Sequence, residues 1–97
     1  MQALASELES TRPGSVLTLQ ADLSEFDRLS ELVAQTVGRF GRMDALVNNA
    51  SSFQPTPVGT TTPQQWDALF ASNARAPFFL AQAAAPHLKA ARGAIVN

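Results

Sequence analysis

Hydrophobic residues recur at helical spacing in three segments of the chain and form short runs in three others. The helical segments are bounded by turn-forming residues, and the short runs are rich in residues that favour strands. The pattern predicts helices over 2–10, from a cap at Ser24 to Phe40, and from a cap at Thr62 to Ala91, and strands over 16–20, 45–47 and 94–96. Helices that alternate with doubly buried strands indicate an α/β fold with a parallel sheet.

Polar residues mark the start of the second and third helices. Ser24 is expected to cap the second helix, and Asp27 follows where a carboxylate complements the free N–H groups. Thr62 is expected to cap the third, because Pro63 suits the first helical position and Gln65 can close a capping box. Both helix starts are therefore predicted from local sequence.

Composition and net charge limit the classes of protein to which the chain can belong. The chain has 97 residues, of which 45% are hydrophobic and 15% charged, and these values are ordinary for one globular domain and exclude disorder. The net charge is -1 and the basic residues are scattered, so nucleic acid is not an expected partner.

The chain has no cysteine and one histidine, His87, so cysteine and histidine-cluster metal sites are excluded and a reducing, cytoplasmic setting is expected. The first residues lack the features of a signal peptide, and no apolar run is long enough to cross a bilayer. No membrane partner is therefore expected.

Asp22 and Leu23 follow the predicted strand 16–20 directly. The carboxyl ends of parallel strands are where open α/β sheets bind ligands. The Asp22 carboxylate can accept a hydrogen bond from the exocyclic amine of adenine, with the Leu23 N–H beside it. Asp22 is equally suited to be a plain helix-start residue.

The run Asn48-Asn49-Ala50-Ser51 follows strand 45–47 and is the more specific signal. Two adjacent amides beside a core strand need polar partners, and the small residues after them let a flat ligand approach the backbone. The alternative is that the asparagines only tie the turn together.

Asn73 lies within the third helix, four residues before Pro77. Proline has no N–H, so the helix is expected to kink there and to leave the Asn73 carbonyl free for water. Gln82 and Pro86 repeat the spacing, so the kink could be merely architectural.

Phe53 follows Ser51-Ser52 in a polar loop and is either a loop anchor or a flat face for a flat substrate. Five other aromatic side chains are at helical spacing and are expected in the core. They are Phe40, Trp66, Phe70, Phe78 and Phe79.

Four landmarks in order resemble the short-chain dehydrogenase/reductase family. They are Ala21-Asp22-Leu23, Asp44-Ala45-Leu46-Val47-Asn48-Asn49-Ala50-Ser51, Ser72-Asn73-Ala74 and Gly93-Ala94-Ile95-Val96-Asn97. The loop Asn-Asn-Ala-Ser-Ser-Phe with the following Pro-Thr-Pro is similar to pteridine reductases. The resemblance implies a partial Rossmann-type dinucleotide-binding domain over 1–97, part of a doubly wound parallel sheet.

The resemblance also implies an enzyme that uses NADPH (NADP) to reduce a small-molecule substrate, a pterin or a dihydrofolate-like ring. Asp22 and Leu23 would hold adenine. Asn48, Ala50 and Ser51 would line the cofactor, and Phe53 would stack on the pterin. Asn73 would be the active-site asparagine, whose main-chain carbonyl holds a water in the proton relay. The family also implies a homo-oligomer built through the long helix.

Several family features are missing from the chain. It contains no tyrosine, so the Tyr-x-x-x-Lys pair is absent, and no glycine-rich phosphate loop is present. The 97 residues are therefore expected to be an internal fragment that is inactive alone. In the family's strand order, strands 16–20 and 45–47 would be separated by two others. Alternatives are another short-chain reductase with a carbonyl or 3-oxoacyl substrate, and a non-catalytic Rossmann-like binding or assembly module.

Overall fold

The structure, a computed structural model, describes residues 2–50 and 55–97. Its elements in chain order are α1 (Gln2–Thr11), α2 (Phe26–Phe40), β1 (Ala45–Val47), α3 (Pro63–Phe70), a π-helical segment (Ala71–Arg75), α4 (Ala76–Ala91) and β2 (Ala94–Val96). The last three helical elements follow one another without a break, as the sequence pattern predicts for a long third helix.

The two strands lie side by side and run parallel, with Leu46 opposite Ile95. The chain between them forms α3, the π-helical segment and α4, so the unit is a β-α-β crossover. Parallel strands joined through a helix are the building unit of Rossmann-type sheets. The predicted α/β class is confirmed.

The core lies between α2 and α4. Leu29 and Val33 of α2 are buried against a stripe of α4 that repeats every four residues, a spacing that keeps side chains on one helix face. The stripe consists of Ala76, Leu80, Ala84 and Leu88. Two alanines in the stripe let the helices approach closely, and Leu46 of β1 packs against the same cluster.

The predicted strand over 16–20 is wrong as a strand. Residues 15–22 have no regular secondary structure, and no strand of the described chain pairs with them. The segment is held at its start, where the Glu9 carboxylate accepts hydrogen bonds from the N–H groups of Gly14 and Val16, each at 2.8 Å. A run of β-forming residues becomes a strand only when a neighbour completes its ladder.

The expectation of doubly buried strands is also wrong. Ala45 and Val47 are exposed, Leu46 is half-buried, and all of β2 is exposed. The described helix α4 and the core cover one face of β1, and no described helix covers the other face. The prediction assumed helices on both faces.

Ser24 does not cap α2. The helix begins at Phe26 with Glu25 at the N-cap position, and no side chain caps it. The Ser24 hydroxyl donates to Asp22 instead. At the next helix the prediction is confirmed, because the Thr62 side chain accepts from the Gln65 N–H and the Gln65 side chain accepts from the Thr62 N–H.

Four of the five aromatic residues expected in the core are exposed. The exposed fractions are 41% for Phe40, 58% for Trp66, 50% for Phe70 and 62% for Phe78. Phe79 alone among the five packs against the core. Helical spacing predicts which side chains share a face, but the described chain supplies nothing to cover the faces that carry the other four.

Candidate functional site

One cavity of about 590 Å³ opens where β1 and β2 end. Its lining comes from the residues after both strands and from the helical stretch around the π-helical segment. The lining residues are Asn48, Asn49, Ala50, Asn73, Pro77, Phe78, Ala81 and Asn97. The structure thus brings two of the predicted cofactor-binding residues, Asn48 and Ala50, to the same cavity as Asn73.

Asn48 is fixed in place by β2. Its backbone N–H donates to the Val96 carbonyl at 2.8 Å, which extends the ladder by one residue. Its side-chain nitrogen Nδ2 donates to Oδ1 of Asn97, also at 2.8 Å. The amide at the end of β1 is therefore oriented by the amide at the end of its neighbour.

Asn97 is a cavity residue that is not among those predicted from the sequence. It follows strand 94–96 directly, just as Asn48 follows strand 45–47. Neighbouring parallel strands end at the same edge of a sheet, so this shared position was a usable signal. Phe78, expected in the core, likewise proves to border the cavity.

The helix continues through Asn73 with a changed hydrogen-bond pattern. Residues Ala71–Arg75 form a π-helical turn, and the Ala76 N–H donates to the Ala71 carbonyl five residues back. Pro77, which has no N–H to donate, follows immediately. Single π turns inside α-helices are frequent at functional sites.

The second proline of the helix behaves differently. Pro86 lies inside the regular α4 helix, and no π-helical turn precedes it. The two proline spacings that look alike in the sequence are therefore distinguished by the structure. Asn73 has an interaction partner in this structure.

Asp22 and Leu23 do not line this cavity. The Oδ1 atom of Asp22 accepts from the Ser24 N–H at 2.9 Å and from the Ser24 hydroxyl at 2.7 Å. The Asp22 carbonyl also accepts from the Glu25 N–H at 3.0 Å. These contacts close a tight turn that is common for aspartate before a helix.

The Ser24 backbone N–H, and next its hydroxyl, lower the pKa of Asp22 below its ordinary value of 3.8. Both bonds go to Oδ1, and within the described chain Oδ2 accepts no hydrogen bond. The Leu23 N–H donates to no described residue. A charged acceptor and an adjacent N–H donor are thus both present at this turn.

Ser51 and Phe53 lie outside the described residues, so their predicted roles stay predictions. In residues 2–50 and 55–97, no group of histidine, aspartate and glutamate side chains is arranged to hold a metal ion. Within the same residues, no helix has the length and apolar character that a membrane span requires.

The sequence matches the family described as short chain dehydrogenase over residues 1–97. It is 40% identical to pteridine reductase 1 of Leishmania tarentolae, in an alignment that covers 82% of this chain and 38% of that protein. It is 37% identical to L-fucose dehydrogenase of Oryctolagus cuniculus, with 93% of this chain and 32% of that protein covered.

The fold is similar to a crystal structure of a metagenomic short-chain oxidoreductase in complex with NADP. The TM-score is 0.85 at 34% sequence identity, and the superposition covers 97% of this chain and 42% of that chain. The chain thus spans about a third of the length of the two relatives. With the family match over its whole length and this likeness of fold, the chain belongs to the short-chain dehydrogenase family.

Proposed function

We propose that these residues form the central part of an NADPH-dependent reductase that transfers hydride to a pteridine or dihydrofolate-like ring. The observation that carries the proposal is the cavity at the ends of β1 and β2, where Asn48 and Ala50 meet Asn73. Ligands bind at this edge in open α/β sheets. A similar structure of the family holds NADP, which supports the choice of cofactor.

The described residues fit a dinucleotide. Asp22 offers a carboxylate oxygen and Leu23 a backbone N–H, which match the exocyclic amine and a ring nitrogen of adenine. Asn48 offers an amide held by Asn97, and Ala50 has only a methyl group, so a flat ring can lie against the backbone. Ser51 is proposed to complete this wall. The bound cofactor would supply the hydride.

Asn73 is the proposed active-site asparagine, whose main-chain carbonyl would orient a water for the proton relay. Its place at the cavity and within a π-helical turn supports that role. The chain contains no tyrosine. The proton donor of the reaction would therefore have to come from other sequence, and these 97 residues alone are proposed to be inactive.

The pteridine substrate is supported by the loop that carries Ser51 and Phe53 and by the 40% identity to a pteridine reductase. A second candidate is a dehydrogenase acting on a sugar or another carbonyl or alcohol substrate. The 37% identity to an L-fucose dehydrogenase favours it. The two candidates differ in the substrate that would lie against Phe53.

The test uses the full-length protein encoded by the complete gene. NADPH oxidation is measured with dihydrobiopterin, dihydrofolate and a 3-oxoacyl thioester, and NADP reduction with L-fucose. We expect the highest kcat/KM with a reduced pterin. A higher value with the sugar or the acyl substrate would assign the second candidate. Absence of both NADPH binding and turnover would favour a non-catalytic binding module.

A further inference from the structure

Arg75 joins two parts of the chain that the proposed function assigns to opposite ends of the cofactor. It is the last residue of the π-helical segment, two positions after Asn73. Its Nη2 atom donates to the Ser24 carbonyl at 2.7 Å, across 51 residues of sequence. Its guanidinium also lies over the Phe26 ring, 5.9 Å from the ring centre.

Ser24 is the residue that shapes the Asp22 turn. It contributes both hydrogen bonds to Asp22 Oδ1, and its own carbonyl is the atom that Arg75 holds. Phe26, the first residue of α2, packs edge-to-face against Phe79 of α4 with ring centres 4.9 Å apart. The turn at Asp22 is therefore tied to the helix that carries Asn73 by one charged hydrogen bond, with aromatic packing beside it.

The hydrogen bond from Arg75 to Ser24 is well suited to fixing the distance between the Asp22 turn and Asn73. A hydrogen bond with a charged donor is shorter and stronger than one between neutral groups, and the planar guanidinium loses little freedom when it forms. The internal hydrogen bonds of the Asp22 turn do not depend on Arg75. Loss of Arg75 should thus leave the turn formed while it removes one restraint on its position relative to Asn73.

We propose that Arg75 is a positioning residue that sets the spacing between the adenine-binding turn at Asp22 and the cavity at Asn73. The proposal rests on the proposed function, because it needs one ligand that spans both places. A dinucleotide gains affinity when both of its halves fit at once, and that gain is lost when the spacing is wrong. Binding of the adenine half by itself should not depend on the distance between the Asp22 turn and the cavity at Asn73.

The experiment compares three variants of the full-length protein with the wild type. Arg75→Met removes the donors and keeps an apolar stem, and Arg75→Lys keeps a positive charge and a shorter donor. Arg12→Met is the matched control, since the exposed Arg12 side chain makes no hydrogen bond or ion pair with the described residues. The Kd for NADPH, the Kd for adenosine 2′,5′-bisphosphate and the melting temperature are measured for each.

Arg75→Met should raise the Kd for NADPH about 3- to 10-fold, a range typical of one partly exposed charged hydrogen bond. The Kd for adenosine 2′,5′-bisphosphate should change by less than about twofold, because the turn keeps its internal bonds. Arg75→Lys should lie between Arg75→Met and the wild type, and Arg12→Met should match the wild type in all three measurements.

Unchanged NADPH binding in Arg75→Met would overturn the positioning role and leave the proposed function intact. An equal loss for NADPH and for the adenine half would overturn it too, because Arg75 would then support the turn itself. If Arg75→Met does not fold, Arg75→Lys decides by the same comparison. A wild-type protein that binds no NADPH would overturn the proposed function, and this inference with it.

Discussion

The side-chain nitrogen of Asn48 donates to the side-chain oxygen of Asn97 at 2.8 Å, and this bond joins the ends of the two parallel strands. Both residues border the cavity, so the bond orients one wall of the proposed cofactor site. Asn48 is half-buried and Asn97 is exposed. Water competes for a bond of this kind, and its net contribution to stability is modest.

A double-mutant cycle tests this bond in the full-length protein. Asn48→Ala and Asn97→Ala should each destabilise the fold, with a coupling energy of about 0.5 kcal/mol, at the low end for a neutral hydrogen bond. Urea denaturation of the two single variants and the double variant measures it. Asn49→Ala is the control, because Asn49 borders the cavity without a side-chain hydrogen bond to any described residue. Strict additivity of Asn48→Ala and Asn97→Ala would contradict the assigned contact.

Gly93 lies where the chain turns from α4 into β2, and a side chain does not fit there. A β-carbon at Gly93 would overlap the Asp44 carbonyl oxygen and lie 3.1 Å from the Leu88 side chain. Gly93→Ala should destabilise the full-length protein by about 1–3 kcal/mol, because the atom in the way is backbone and cannot move aside cheaply.

The matched control is Gly38→Ala in α2, where nothing lies within 4 Å of the added carbon. That change should stabilise the protein by roughly 0.5–1 kcal/mol, since alanine favours helix over glycine. Urea midpoints of the two variants should move in opposite directions. A Gly93→Ala midpoint equal to that of the wild type would show that the strand and helix ends shift easily.

Thr62 caps the long third helix through a complete capping box. Thr62→Ala should destabilise the full-length protein by about 1 kcal/mol, the usual effect of removing a threonine N-cap. Thr60→Ala serves as the control, because Thr60 is exposed and only its backbone N–H makes a hydrogen bond in the described chain. Equal melting temperatures for the two variants would argue against the capping contribution.

The Asp22 turn predicts a specific pH dependence. Hydrogen bonds from Ser24 lower the pKa of Asp22 in the folded protein below its ordinary value of 3.8, so the charged form is favoured by folding. The stability that this provides is present above that value and is lost as the pH falls through the lowered pKa. Asp22→Asn keeps an oxygen acceptor and does not titrate.

The difference in melting temperature between the wild type and Asp22→Asn should therefore shrink as the pH is lowered from 7 to 3. Ser24→Ala, which keeps the carboxylate and removes one of its donors, should show an intermediate pH dependence. Parallel pH profiles for the wild type and Asp22→Asn would show that the turn gains nothing from the charge.

A substitution at Phe53 tests whether its ring stacks on the substrate. Phe53→Ala should lower kcat/KM for a reduced pterin by about 10- to 200-fold, by analogy with the value of stacking a base on an aromatic ring. The Kd for NADPH and the melting temperature should change far less. All three quantities are measured on both proteins, and an equal loss in all of them would identify Phe53 as a loop anchor.

Features that depend on a few neighbouring residues could be predicted from the sequence. The capping box of Thr62 and Gln65 involves only residues of one helix turn, and the left-handed conformation at Gly41 ends α2 as expected of glycine. The two amides after strand 45–47 were also a local signal. The family landmarks are likewise short runs of adjacent residues.

The local sequence predicted the wrong start for α2, because two local hydrogen-bond arrangements compete there. Ser24 is a good N-cap by residue type, yet its hydroxyl bonds to Asp22 and the helix starts two residues later. Aspartate and serine both form such turns with nearby backbone, so composition alone does not rank the two arrangements.

Which surfaces come into contact is determined by the tertiary structure and not by the local pattern. Whether 16–20 forms a strand depends on a neighbour that completes its ladder, and whether Phe78 is buried depends on a partner for its face of α4. The meeting of Asn48 with Asn97 and of Arg75 with Ser24 likewise joins residues far apart in the chain. Spacing along the sequence determines which side chains share a face, whereas burial and long-range pairing require a second surface that the local pattern does not encode.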